Sequence, residues 1–185
     1  PDGKNLASGS ADDKVVLYDL EENSPKATIN TESKGVLSLS YSPDGKFIAS
    51  GGSNNSVKIW DPQDGKKIAE INDCKSAVNA LVFSPDVQYL FAASNDGKIY
   101  VFNMETKQLT KSFVAHDKGA TALSFCDKGN ILVSGGRDGN IKLWDLSALK
   151  IGKKKFAAAT GEPKLVCSAL TLKEDNSNGI IDANE

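Results

Sequence analysis

Histidine is almost missing from this chain, and so are several other residues on which chemistry usually depends. Its 185 residues hold one His, one Met, two Trp, three Cys and six Pro. A single histidine, His116, cannot furnish a His-rich metal site, and no Ser or Cys motif of an activated nucleophile accompanies it. No GxxxxGK[ST] or GxGxxG phosphate-binding run occurs. Cys74, Cys126 and Cys167 are widely spaced with no CxxC pair, which reads as reduced thiols rather than a disulfide framework. Apolar runs span only a few residues, too few for a membrane-spanning helix. Charge does not lean one way either: 22 Lys and Arg against 24 Asp and Glu leave a formal −2, without the basic excess of a general nucleic-acid binder. The chain opens on Pro1 without a signal-peptide pattern. Together with the sparse cysteines, this makes the cytoplasm, the nucleus or both the expected compartment.

What the chain has in abundance is repetition. Pro1-Asp2-Gly3 returns as Pro43-Asp44-Gly45 and Pro85-Asp86, with Asp127-Lys128-Gly129 as a degraded copy. Tyr18-Asp19 returns as Trp60-Asp61, Phe102-Asn103 and Trp144-Asp145. Both series step by 42 residues, so two independent landmarks share one period, and the chain is a tandem array of a little over four units. Within each unit the hydrophobic period is two, which means strands. A first strand is expected at 36–42, 78–84 and 120–126, and a second at 6–10, 47–52, 89–94 and 131–136. The third falls at 15–20, 57–61, 99–103 and 141–146, and the fourth at 26–31, 67–72 and 109–114. Asp12-Asp13, Asn54-Asn55, Asp96-Gly97 and Asp138-Gly139 supply the tight turns between second and third strands. Four short strands cannot bury both their faces alone, but stacked units can.

The repeat resembles the WD-repeat β-propeller family over residues 1 to about 149, most specifically at 134–145, Ser-Gly-Gly-Arg-Asp-Gly-Asn-Ile-Lys-Leu-Trp-Asp. The resemblance implies an all-β propeller of four-stranded antiparallel blades, of which this chain would hold about four out of the family's usual seven. Blades are then expected over 1–149, as a partial unit at 1–31 and repeats at 32–73, 74–115 and 116–157, with 158–185 a divergent tail. A strand near 165–172 closing a four-bladed ring is the alternative to an open fragment. The resemblance also implies a blade-stabilising hydrogen-bond set at His116, Ser134, Asp138 and Trp144. Buried imidazole, hydroxyl and indole groups must satisfy one another where water is excluded. Elsewhere the His position reads Glu32 or Cys74 and the Trp position Tyr18 or Phe102, so the other blades are expected to rely on packing alone.

Nothing in the pattern assembles a catalytic group. The recurrent aspartates serve turns, and no cofactor is expected. The expected function is a non-catalytic scaffold that binds other proteins as a subunit of a larger complex, with neither membrane nor direct nucleic-acid contact. By the resemblance, partners meet the face that bears the turns between second and third strands, which points to Lys34, Asn54, Lys75, Asn95, Lys118 and Arg137. The local cluster of Lys150 and Lys153–Lys155 reads as a solvated loop, since no aromatic residues interleave it. The tail offers a rival reading. Residues 174–185 resemble a calcium-binding EF-hand loop, with Gly179 at its sixth position and Glu174, Asn176, Asn178, Asp182 and Glu185 as candidate ligands. Against it, the first position is Glu rather than Asp and no exiting helix follows. The plainer expectation is a divergent blade with strands at 166–172 and 180–183, and no metal.

Overall fold

The computed structural model describes residues 1–126, 131–147 and 164–167. Every regular element of more than one residue among them is a β-strand, and the strands form four antiparallel sheets. The first sheet has three strands, β1 (Asn5–Gly9), β2 (Lys14–Asp19) and β3 (Ser24–Asn30). The second has four: β4 (Val36–Tyr41), β5 (Ile48–Gly52), β6 (Val57–Trp60) and β7 (Lys67–Ile71). The third runs β8 (Val78–Phe83), β9 (Tyr89–Ser94), β10 (Lys98–Asn103) and β11 (Gln108–Val114). The fourth runs β12 (Ala120–Cys126), β13 (Ile131–Gly136), β14 (Ile141–Asp145) and β15 (Lys164–Cys167). In each sheet, strands adjacent in the chain lie adjacent in space, so one short meander is repeated along the chain.

The turns explain the repeat. Between the second and third strands of each unit, one residue adopts a left-handed backbone: Asp13 (φ 68°), Asn55 (φ 67°), Gly97 (φ 83°) and Gly139 (φ 80°). Asp, Asn and Gly are the residues that tolerate this conformation, which is why the turn alternates among those three alone. At the other end of the sheets, Ser42 Oγ donates to Asp44 at 2.6 Å and accepts the Phe47 N–H at 2.9 Å. Ser84 repeats the lock with Asp86 at 2.6 Å and Tyr89 at 2.9 Å. The Ser-Pro-Asp sequence is therefore a turn device, and its recurrence carries no catalytic meaning.

The core lies between sheets. Val15, Leu17 and Ile29 of the first sheet pack on Ile48 and Trp60 of the second. Ala49, Val57 and Ile59 pack on Leu90, Tyr100 and Phe102 of the third. Phe91, Ile99 and Val101 pack on Leu132, Trp144 and Leu146 in the fourth unit, with Phe91 edge-on to Phe125 at 5.3 Å. Each sheet thus turns one face forward along the chain and one backward, and every internal interface joins a forward face to a backward face.

In the fourth sheet the strand beside β14 is β15, with Trp144 opposite Leu165 and Asp145 opposite Lys164. β15 thus stands as the fourth strand of the fourth sheet, and the remainder of the 165–172 segment, from 168 on, lies outside the described residues with the rest of the tail.

Candidate functional site

The sole histidine sits in the linker that carries the chain from the third sheet into the fourth, 1 % exposed, and its backbone N–H donates to Gly97 O at 2.9 Å. Three side chains from the fourth sheet close around its ring. Trp144 Nε1–H donates to Ser134 Oγ at 2.9 Å, and Ser134 O–H donates to His116 Nε2 at 2.8 Å. His116 Nδ1–H donates to the Asp138 carboxylate at 2.9 and 3.1 Å. This tautomer is assigned from the network: the indole can only donate, the ionised carboxylate can only accept, and one direction of donation satisfies every atom. The ring is also held sterically. A Cβ at Gly136 would strike the His116 imidazole, so this glycine at the strand end is needed for close approach.

Asp138 anchors the far end. Desolvation acts to raise its carboxyl, but hydrogen bonds from the Asn140 N–H, His116 and the Asp117 N–H outweigh this and hold it down at about 2. Ser, His and Asp in one chain of hydrogen bonds share the composition of a hydrolytic triad. Here Ser134 Oγ is buried and already accepts from an indole, so no substrate carbonyl can reach it. The arrangement is a structural relay that ties linker, turn and strand together.

The other sheets do not rely on packing alone, contrary to expectation. In the second, Trp60 Nε1–H donates to Ser50 Oγ at 2.8 Å although no histidine is present. The Lys58 ammonium, almost fully buried, donates to the backbone carbonyls of Thr31 and Glu32 and lies 3.8 Å from Glu70. In the third, Tyr100 O–H donates to Asp96 at 2.7 Å and accepts the Lys75 N–H at 3.2 Å. Lys142, at the equivalent position of the fourth sheet, donates to Ala115 O at 2.6 Å. In the first, Asp13 accepts the N–H groups of Ser33 and Gly35 at 3.2 and 2.5 Å. Sequence reasoning missed Lys58, Tyr100 and Lys142. Their signal was available, as a polar residue two positions before the Trp or Phe landmark on an otherwise apolar strand.

The six rim candidates divide into three pairs. Asn54 N–H donates to Ser33 O at 3.0 Å, Asn95 N–H to Ala77 O at 2.9 Å, and Arg137 N–H to Gly119 O at 2.8 Å. Each bond pins a turn to the linker entering the same sheet. Lys34 thereby lies near Asn54, Lys75 near Asn95, and Lys118 near Arg137, all at one edge of the stack. Asn54 is a poor contact residue, since its amide donates to Glu32 O at 2.9 Å and accepts from Ser56 at 2.8 Å. Lys34, Lys75, Asn95, Lys118 and Arg137 are exposed. The candidate calcium ligands Glu174, Asn176, Asn178, Asp182 and Glu185 lie outside the described residues, as does the lysine cluster at 150–155. Among the described residues no three His, Cys, Asp or Glu side chains are grouped to hold a metal.

Antiparallel meanders stacked forward on backward, three of them four-stranded with a turn pinned to the entering linker, define a partial β-propeller. The family model "WD domain, G-beta repeat" matches residues 1–19, 23–61, 65–103 and 107–145, most of the chain, and the protein belongs to that WD40 family. A comparison with curated proteins gave no match.

Proposed function

We propose that this chain is a non-catalytic scaffold that binds other proteins as a subunit of a multi-component complex in the cytoplasm, the nucleus or both. The observation that carries this reading is the rim: exposed Lys34, Lys75, Asn95, Lys118 and Arg137 recur at one edge of the stack, on turns anchored by backbone bonds. WD40 repeats are in general non-catalytic interaction platforms, and the His116 relay, the nearest thing here to a catalytic constellation, is closed by Trp144. A rigid edge with long polar side chains binds at low ordering cost, and arginine in particular offers a five-donor fork on an apolar stem.

The finer reading is narrower than the family. Residues 31–52 and 83–89 look like the small WD-repeat subunit shared by the Ski mRNA-decay complex and the Paf transcription complex, and the uniform unit length agrees with that. Affinity purification with mass spectrometry tests both readings. The parent chain should retain a defined set of proteins, and Lys75→Glu/Lys118→Glu/Arg137→Glu should lose it. A control reversing Lys46 and Lys66 at the opposite edge should keep it. Equal retention by all three excludes the rim, and a captured set without subunits of either complex excludes the finer reading.

A further inference from the structure

Three of the six prolines follow a serine, and the fold treats the three pairs differently. Ser42-Pro43 and Ser84-Pro85 belong to the repeat. Both serines are fully buried, and each hydroxyl is committed to the turn lock, donating to Asp44 or Asp86 at 2.6 Å. Ser24-Pro25 stands outside the period, since the same place in the next two units holds Lys66-Lys67 and Gln108-Leu109. Ser24 is only half-buried, Pro25 and Lys26 are exposed, and no other described residue engages the Ser24 hydroxyl. This exposure belongs to the place within the unit. Lys66 and Gln108 are exposed too, in sheets that have a neighbour packed before them.

The backbone here suits an enzyme that needs an extended acceptor. Ser24 opens β3, which among the described strands pairs only with β2. The ladder slips at this point: Tyr18 lies opposite Pro25 and Leu17 opposite Ala27, so Lys26 is passed over and the strand bulges. Pro25 has no N–H, and an enzyme site that would leave the following N–H unpaired selects proline there. We propose that Ser24 is a phosphorylation site for a proline-directed protein kinase using ATP, and that the phosphate draws Lys26 away from the second sheet. The Ser24 oxygen attacks the γ-phosphorus, the bond to the bridging oxygen breaks, ADP leaves, and the hydroxyl proton passes to the base of the kinase. In the unmodified chain Lys26 Nζ donates at 3.3 Å to Gln63 Oε1, a neutral acceptor on the turn between β6 and β7. A phosphate two residues from Lys26 carries roughly two negative charges on three acceptor oxygens, and is the stronger acceptor for an ammonium. Asp19, directly opposite Ser24, is occupied by the Glu21 and Glu22 N–H groups and repels the phosphate, which leaves Lys26 as its nearby cation.

Incubation of the full 185-residue chain with a cyclin-dependent and a mitogen-activated kinase and labelled ATP, with the phosphate mapped by mass spectrometry, tests this. Ser24 should be the principal site in the folded chain. Ser24→Ala should abolish its label, and Pro25→Ala should slow labelling about tenfold or more, because alanine restores the N–H. Circular dichroism checks that both variants are folded. Amide exchange at 24–27 should quicken on phosphorylation, and should respond less in Lys26→Ala, which lacks the Gln63 bond from the start. The site is overturned if the folded chain takes no label at Ser24 while the urea-denatured chain, which verifies the kinases, does. It is equally overturned if Ser42 or Ser84 is labelled as fast as Ser24, since the fold would then not distinguish the three pairs. Exchange that phosphate leaves unchanged overturns the displacement of Lys26.

Discussion

At equivalent positions the fourth sheet carries His116, Ser134, Asp138 and Trp144, whereas the third carries Cys74, Ala92, Asp96 and Phe102. In the fourth sheet, four polar groups satisfy one another in a single directed chain. In the third, three of those groups are absent together, and burial and nearby Asp96 and Asp73 push the Cys74 thiol up to about 12, leaving it a neutral apolar filler. The remaining aspartate, Asp96, takes its hydrogen bond from Tyr100 instead. The second sheet is intermediate, keeping the Trp60–Ser50 bond and, in Lys58, the linker contact that Lys142 makes in the fourth, without the histidine. The polar set therefore behaves as coupled pieces: indole with hydroxyl, and turn acid with some donor. A donor buried without its acceptor costs more than the absence of both.

The largest test of that comparison is Trp144→Ala. Trp144 is buried and lies 4.8 Å from the Phe113 ring of the third sheet, so the change removes both a packed aromatic and the donor to Ser134. It should cost about 3–5 kcal/mol by urea unfolding, while rim Lys118→Ala should stay within about 0.5 kcal/mol. Equal midpoints for the two would break the assignment of the relay to the core.

A smaller effect separates coupling from packing. Ser134→Ala alone strands the Trp144 N–H and His116 Nε2 and should cost about 1–3 kcal/mol. Converting the fourth sheet to the third sheet's solution, with His116→Cys, Ser134→Ala and Trp144→Phe together, should cost less than the sum of the three single changes, by about 0.5–3 kcal/mol. Strict additivity would mean the third and fourth sheets are not alternative solutions to one problem.

Much of this was legible in the sequence because a period of 42 leaves little freedom: once Trp60, Phe102 and Trp144 align, the strands and both kinds of turn follow. Three things were hidden, each for a physical reason. The polar breaks at Lys58 and Tyr100 were readable but their partners were not, because Thr31 O and the Lys75 N–H are linker backbone atoms that no sequence pattern displays. Asp13 bonds Ser33 and Gly35 on the linker leaving its sheet, whereas Asp138 bonds His116 and Asp117 on the linker entering its own, so the 42-residue alignment of turn acids does not show it. β15, at Lys164–Cys167, has no counterpart one period earlier from which it could be read. Rim positions were readable only as exposed and variable, which identifies a surface but not what it binds.

Acid titration sharpens the comparison through the turn acid. Asp138 in the folded chain sits at about 2 against an ordinary 3.8. A carboxyl depressed on folding contributes stability above its unfolded value and loses it as pH falls through the folded one. The contribution is thus complete above pH about 5 and gone by about 1, amounting to about 2 kcal/mol. Asp138→Asn should therefore lower stability at neutral pH and flatten the parent's loss between those limits. A variant whose acid limb parallels the parent's would show that Asp138 gains nothing from its place in the relay.

The smallest effect on stability is expected at Arg137, where the same turn meets solvent. Its N–H is committed to Gly119 O at 2.8 Å, a bond any residue but proline can make. The side chain is exposed, and the earlier units carry Ala11, Ser53 and Asn95 at this position, so the fold already accepts three unrelated side chains there. Asp138, not Arg137, anchors the turn through His116 and the Asn140 N–H. Arg137→Glu should accordingly leave the thermal midpoint unchanged within error while weakening partner capture, because reversal replaces five donors with acceptors on a rigid platform. A pull-down and a melt on the same preparation separate the outcomes. Full capture with an unchanged melt removes Arg137 from the interface. A sharply lowered melt would mean that this turn, unlike its three counterparts, depends on its side chain, and the division between relay and rim would have to be redrawn one residue further out.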